Sequence, residues 1–129
     1  MEYCDENLED FVASYHKKPY YKEIGVATLF LQICLGLQFI HDRMLTHKDL
    51  KIPNILIKYN GRQVNCKIAD LGTARQVDAD NVFHRSKADP KEMVTPTTTA
   101  PEIDDGASPS GSQTFTFAAD IFSLGLCLY

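Results

Sequence analysis

In the octapeptide His47-Lys48-Asp49-Leu50-Lys51-Ile52-Pro53-Asn54, a carboxylate, Asp49, stands two positions before a cation, Lys51, and the amide of Asn54 follows. Asp70-Leu71-Gly72 and then Ala100-Pro101-Glu102 lie downstream. Phosphoryl transfer needs a set of this kind. Phosphate oxygens repel an incoming hydroxyl unless cations surround them, so positioning and charge neutralisation supply most of the rate. In that chemistry Asp49 would orient the attacking hydroxyl or accept its proton, and Lys51 would sit as a point charge beside the transferred group. Asn54 and Asp70 would offer hard oxygens to Mg2+, which keeps several waters and uses few protein ligands. Each residue alone is ordinary turn chemistry; the ordered set is not.

Elements that can carry these residues are legible in the hydrophobic pattern. Leu8, Phe11, Val12 and Tyr15 recur at helical spacing, with Asp5 or Asn7 available as a cap. A second helix, expected from about Lys22 to Asp42, strings Val26, Leu29, Phe30, Ile33, Leu37 and Ile40 along one wide stripe, which implies burial on more than one side. The period then changes. Ile55-Leu56-Ile57 and Val64-Asn65-Cys66-Lys67-Ile68 read as strands around Asn60-Gly61, a strong hairpin signal because both residues tolerate positive φ. Folding back in this way brings Asn54 and Asp70 to one end of the hairpin. From Thr73 to Thr99 no period is sustained, and Pro90, Pro96 and a threonine cluster mark a long loop of the kind that is usually functional or mobile. Asp104 to Ser112 reads as an exposed loop, and Phe117 to Tyr129 as a central helix, apolar nearly all round.

Composition excludes several classes of function. With 129 residues, 44% hydrophobic and 23% charged, the chain has the profile of one globular domain or a piece of one. A formal net charge of -4 without a clustered Lys/Arg patch argues against a nucleic-acid or membrane-surface partner. The apolar run Ile24 to Ile40 is interrupted by Gly25, Thr28, Gln32, Gly36 and Gln38 and falls short of the ~20 residues of a membrane span. Cys4, Cys34, Cys66 and Cys127 form no CxxC pair, so neither a zinc site nor a disulfide framework is expected. His16, His41 and His84 lack metal-ligand spacing, and Met1-Glu2-Tyr3-Cys4-Asp5-Glu6 is no signal peptide. A cytosolic or nuclear setting is expected.

Together, His47 to Asn54, Asp70-Leu71-Gly72 and Ala100-Pro101-Glu102 resemble the eukaryotic-type protein kinases, over essentially the whole chain. The resemblance implies an α+β, mainly helical fold: part of a protein-kinase C-terminal lobe with one short β-hairpin, the N-lobe and the later C-lobe helices being absent. Residues 1–4 are similar to the hinge, with Glu2 and Cys4 beside adenine. Residues 5–45 would hold the first two helices of the lobe, 46–72 the catalytic loop, hairpin and metal-binding turn, 73–102 the activation segment, and 117–129 the start of the central helix. By the same resemblance Asp49, Lys51 and Asn54 are catalytic, Asn54 and Asp70 hold Mg2+, Leu56 floors the adenine of ATP, and Thr95 bridges Asp49 and Lys51. Asp120 would brace the catalytic-loop backbone, and His47 is a packing residue. Lys51 with Thr95 is the serine/threonine-type arrangement, so a protein substrate modified on serine or threonine is expected.

This sequence departs from the family pattern at Lys48, where arginine is usual, and at Leu71, where phenylalanine is usual. Lys48 gives any phosphate-reading pocket a point charge in place of a bidentate fork. Val94 and Thr98 also depart from the pattern at the substrate-binding end. No glycine-rich phosphate loop, with its partnered lysine, lies within the chain, so the missing N-lobe is expected in the full-length protein. The 129 residues alone are therefore expected to be inactive. The alternative is a non-catalytic, kinase-like scaffold or competitor.

Overall fold

Residues 3–17, 25–85, 95–104 and 113–127 are described by the structure, a computed structural model. Among them the elements run β1 (Glu6–Asn7), α1 (Leu8–Ser14), α2 (Val26–His41), β2 (Leu45–Thr46), β3 (Ile55–Asn60), β4 (Gln63–Ile68), β5 (Arg75–Gln76), β6 (Val82–Arg85), α3 (Pro101–Asp104), β7 (Gln113–Thr116) and α4 (Phe117–Leu126). The chain divides into two compact units: Met1–Phe39 with Ile52–Asp70, and Ile40–Lys51 with Leu71–Tyr129.

In the first unit, α1 starts where the Asn7 side chain accepts the Asp10 N–H at 2.9 Å, which satisfies one orphan donor of the first turn. Its buried side chains are Leu8 and Phe11. The sheet has the order β1-β3-β4, all antiparallel. β3 and β4 pair from Ile55↔Ile68 to Asn60↔Gln63, so the two-residue loop is Gly61-Arg62 and Asn60 belongs to the strand. Gly61 alone of the pair has positive φ, +62°, the pattern of a type II′ turn. Alternation along β3 buries Ile55 and Ile57 completely and leaves Leu56 on the other face, half-buried.

β4 is a sheet edge with outward-facing backbone groups, and α2 covers it through one side chain. Gln32 donates from Nε2 to Val64 O at 3.0 Å and accepts the Cys66 N–H on Oε1 at 2.7 Å. One amide thus satisfies two strand groups that would otherwise face an apolar helix. Gly36, one turn on, permits a close approach: a Cβ there would lie 3.4 Å from Ile68 Cδ1. On α2, Leu29, Ile33, Leu37 and Ile40 are buried, while Leu31, Leu35 and Phe39 are exposed. The expected burial on several sides is therefore confined to one stripe.

In the second unit β2 pairs antiparallel with β5, and β6 with β7. β6 and β7 place Phe83 opposite Phe115, whose rings are 6.2 Å apart and tilted by 41°. Phe115 is buried with Ala100, Ile103 and Ala119, and Phe83 packs against this cluster. α4 begins where Thr116 Oγ1 accepts the Ala119 N–H at 3.4 Å, and buries Ala119, Asp120, Ser123 and Leu124. Ile121, Phe122 and Leu126 stay exposed, so an all-apolar helix here has one packed face.

These strands correct the expected fold class. A mainly helical C-terminal-lobe fragment with one short hairpin does not describe the chain, because its described residues form seven strands in three sheets. The supposedly aperiodic stretch after Thr73 contains β5 and β6. Strands of two to four residues show too little alternation to be legible, and their partners lie far along the chain. Residues 105–112, read as an exposed loop, lie outside the described residues, as do 18–24, where the second helix was expected to begin. Among the described residues no helix is long and apolar enough to cross a membrane.

Candidate active site

The short β2 strand delivers the chain into His47–Lys51, and four side-chain and backbone contacts hold that loop within the second unit. Asp120, 1% exposed, accepts the His47 N–H on Oδ2 at 2.8 Å and the Lys48 N–H on Oδ1 at 2.9 Å. Its Oδ2 also accepts the Thr46 hydroxyl at 3.0 Å and lies 2.8 Å from His41 Nε2, at the end of α2. The His41 ring in turn stacks on Phe117, with centroids 4.2 Å apart. Thr73 Oγ1 donates to His47 O at 2.9 Å, and the buried His47 ring accepts the Asp49 N–H on Nδ1 at 3.3 Å. Buried donors and acceptors are thus met from several elements. Lys48 takes up φ +74°, a left-handed conformation that is costly for a residue with a Cβ.

From this braced loop Asp49 and Lys51 project toward the segment before α3. Lys51 Nζ is 2.8 Å from Asp49 Oδ2 and donates to Thr95 Oγ1 at 2.7 Å; the Thr95 N–H donates to Asp49 Oδ1 at 3.0 Å. Acid, cation and hydroxyl close a ring. Burial pushes the Asp49 carboxyl up, but the hydrogen bonds from Lys51 and Thr95 and the Lys51 charge outweigh it and hold Asp49 below its ordinary 3.8. The carboxylate therefore stays ionised at neutral pH. Ser123 of α4 donates to Thr98 O at 2.6 Å, and Thr99 Oγ1 donates to Thr95 O at 2.7 Å, so the Thr95 segment is itself anchored.

The two expected metal ligands lie in the first unit. Asn54 closes a single 3-10 turn, Ile52–Asn54, immediately before β3, and its carbonyl accepts the Ala69 N–H at 2.8 Å. That bond extends the β3/β4 ladder past Ile55↔Ile68, so Asn54 and Asp70 sit at the same end of the hairpin. Asp70 is exposed and has φ +59°, a strained position of the kind found at functional sites. An amide oxygen and a carboxylate suit Mg2+, which fills its remaining positions with water and phosphate. Among the described residues no three His, Cys, Asp or Glu side chains gather to form a metal cage. Cys4 precedes β1 and is half-buried, Leu56 lies on β3, and Glu2 lies outside the described residues.

A family model described as the protein kinase domain matches residues 1–129. The chain belongs to the protein kinase family. It is 36% identical over 128 residues to the membrane-associated tyrosine- and threonine-specific cdc2-inhibitory kinase of Drosophila melanogaster, covering 99% of this chain and 21% of that one. It is 33% identical over 100 residues to the ovarian-specific serine/threonine-protein kinase Lok of the same organism, covering 78% and 19%. It is 31% identical over 129 residues to the serine/threonine-protein kinase Nek3 of Mus musculus, covering 100% and 22%. The chain spans about a fifth of the length of these curated relatives. The family match runs through strands and helices alike, which a mainly helical C-terminal lobe does not fit. Protein kinases as a family use ATP and Mg2+.

Two features of this site had no signal in the sequence. Lys48 Nζ lies over the rings of Phe83 and Phe115, at 4.9 and 4.4 Å from their centroids, and His41 meets Asp120 from the end of a helix. Both contacts join residues far apart in the chain, which no local period encodes. Only the resemblance pointed to Asp120 as a brace, and none of its other donors was foreseen.

Proposed function

We propose that this kinase domain transfers the γ-phosphoryl group of ATP to serine and threonine hydroxyls of a protein substrate. The observation that carries this reading is the ring of Asp49, Lys51 and Thr95. Asp49 orients the substrate hydroxyl and takes its proton as the new P–O bond forms and the γ-phosphorus bond to the β–γ bridging oxygen breaks, with ADP leaving; a carboxylate has acceptor capacity beyond the two contacts in the ring. Lys51, held by Asp49 and Thr95, places its charge beside the transferred group, and the Thr95 N–H fixes the Asp49 carboxylate. Thr95 thereby ties substrate-end geometry to the acid, which favours a serine/threonine hydroxyl as acceptor. Asn54 and Asp70 are the proposed holders of Mg2+, which when bound neutralises charge on the phosphate oxygens. Leu56 is the proposed adenine floor, with Glu2 and Cys4 beside the base.

The same proposal assigns no turnover to the 129 residues by themselves. Their seven glycines are never two positions apart, so they contain no glycine-rich loop to cover the phosphates. A cytosolic or nuclear setting belongs to this reading.

Phosphoamino-acid analysis of a mixed peptide substrate incubated with Mg-ATP and the protein in its full natural length tests the reading. Phosphoserine and phosphothreonine are expected as products. Phosphotyrosine alone, or label incorporated by Asp49→Asn at the wild-type rate, would overturn it.

A further inference from the structure

We propose that Lys48 is a positioning residue for Asp49: its ammonium, held over the rings of Phe83 and Phe115, fixes the left-handed turn from which Asp49 projects. This inference rests on the catalytic role given to Asp49 above.

Three observations meet at Lys48. Its backbone is in the left-handed region, φ +74°, which a Cβ-bearing residue leaves unless held. The backbone end is held by Asp120, which accepts the Lys48 N–H at 2.9 Å. The far end is held by the aromatic pair, with Nζ 4.4 Å from the Phe115 centroid and 4.9 Å from that of Phe83. Both distances lie within cation–π range, and Lys48 is only 7% exposed, so the attraction acts where water screens it little. An ammonium in such a place is costly without compensation, and the two ring faces contribute to it.

The aromatic platform is itself fixed. Phe83 and Phe115 face each other across β6 and β7, and Phe115 is buried against Ala100, Ile103 and Ala119. Ala100 lies five residues beyond Thr95, whose N–H binds Asp49. One platform therefore supports both sides of the Asp49 contact: through Lys48 it holds the residue before the acid, and through the Ala100 cluster it holds the segment that clasps the acid. Lys48 acts through geometry: its cation lies over the rings, and no step given to Asp49, Lys51 or Thr95 requires it to touch substrate.

The test uses the protein in its full natural length with Lys48→Met, which keeps the stem and removes the charge, Lys48→Arg, which keeps the cation, and Phe83→Leu at the half-buried ring. Lys48→Met is expected to lower kcat about tenfold with KM for ATP unchanged, and Lys48→Arg to retain most of the rate. Phe83→Leu should reproduce the loss, and the Lys48→Met/Phe83→Leu pair should lose no more than either alone. Wild-type kcat in Lys48→Met, or equal losses in Lys48→Met and Lys48→Arg, would overturn the inference; if Lys48→Met fails to fold, wild-type kcat in Phe83→Leu overturns it instead. If the wild-type protein transfers no phosphate, the proposed function fails and the inference is decided by NMR titration of the Asp49 carboxyl. A rise toward the ordinary carboxylate range in Lys48→Met but not in Lys48→Arg supports positioning, and an unchanged titration in both overturns it.

Discussion

The carboxylate of Asp120 accepts the backbone N–H of His47 at 2.8 Å, although 73 positions separate the two residues. The same group accepts from Lys48 N–H and Thr46 Oγ1 and lies beside His41, so one buried side chain closes the frame around the loop that ends in Asp49 and Lys51.

Asp120→Ala is expected to destabilise the fold by about 3–5 kcal/mol, because it strands several buried donors at once. Asp120→Asn keeps one acceptor oxygen but turns an NH2 group toward other donors, and should fall between alanine and wild type. Urea unfolding at neutral pH measures both, and wild-type stability in Asp120→Ala would exclude the bracing role.

The depressed titration of Asp49 makes a signed prediction. A carboxyl whose folded pKa lies below its unfolded value contributes stability above the unfolded pKa and loses it as pH falls through the folded one. Wild type should therefore exceed Asp49→Asn in stability at pH 7, and the gap should shrink below about pH 4. Urea midpoints for the two proteins across that range provide the measurement.

Gln32→Leu removes both hydrogen bonds to the β4 edge and leaves Val64 O and the Cys66 N–H facing apolar surface. A loss of about 1–3 kcal/mol is expected, together with faster hydrogen exchange at the Cys66 amide. Unchanged exchange at that amide would show that the clasp contributes nothing.

Burial pushes the Cys66 and Cys127 thiols up to about 11. At pH 8 their thiolate fraction should be roughly a hundredfold below that of ordinary cysteine, whose pKa is near 8.5–9, and alkylation should be correspondingly slow. Unfolding in urea should restore the ordinary rate, which a mass-resolved iodoacetamide time course would follow.

How much was legible in the sequence depends on the range of each interaction. The apolar periods of α1 and α2 and the strand–glycine–strand pattern of β3 and β4 are local, and each appears close to where it was expected. The hairpin also implied that Asn54 and Asp70 share one end, which the Ala69 to Asn54 bond bears out. β1, β2, β5, β6 and β7 were not legible, since two to four residues show little alternation and the pairing of β6 with β7 is decided by tertiary packing. Gln32 looked like an interruption of an apolar helix and is a bracket to β4. Lys48 stood out as a departure from a family pattern, but nothing near it announced the two rings that hold its charge.

The most direct test of the catalytic reading is the rate of phosphate transfer from Mg-ATP to a serine- or threonine-containing peptide by the full-length protein, compared with its Asp49→Asn variant. The ring of Asp49, Lys51 and Thr95 predicts a fall of about 10²–10⁴-fold in kcat with the fold intact. Equal rates in the two proteins would contradict it.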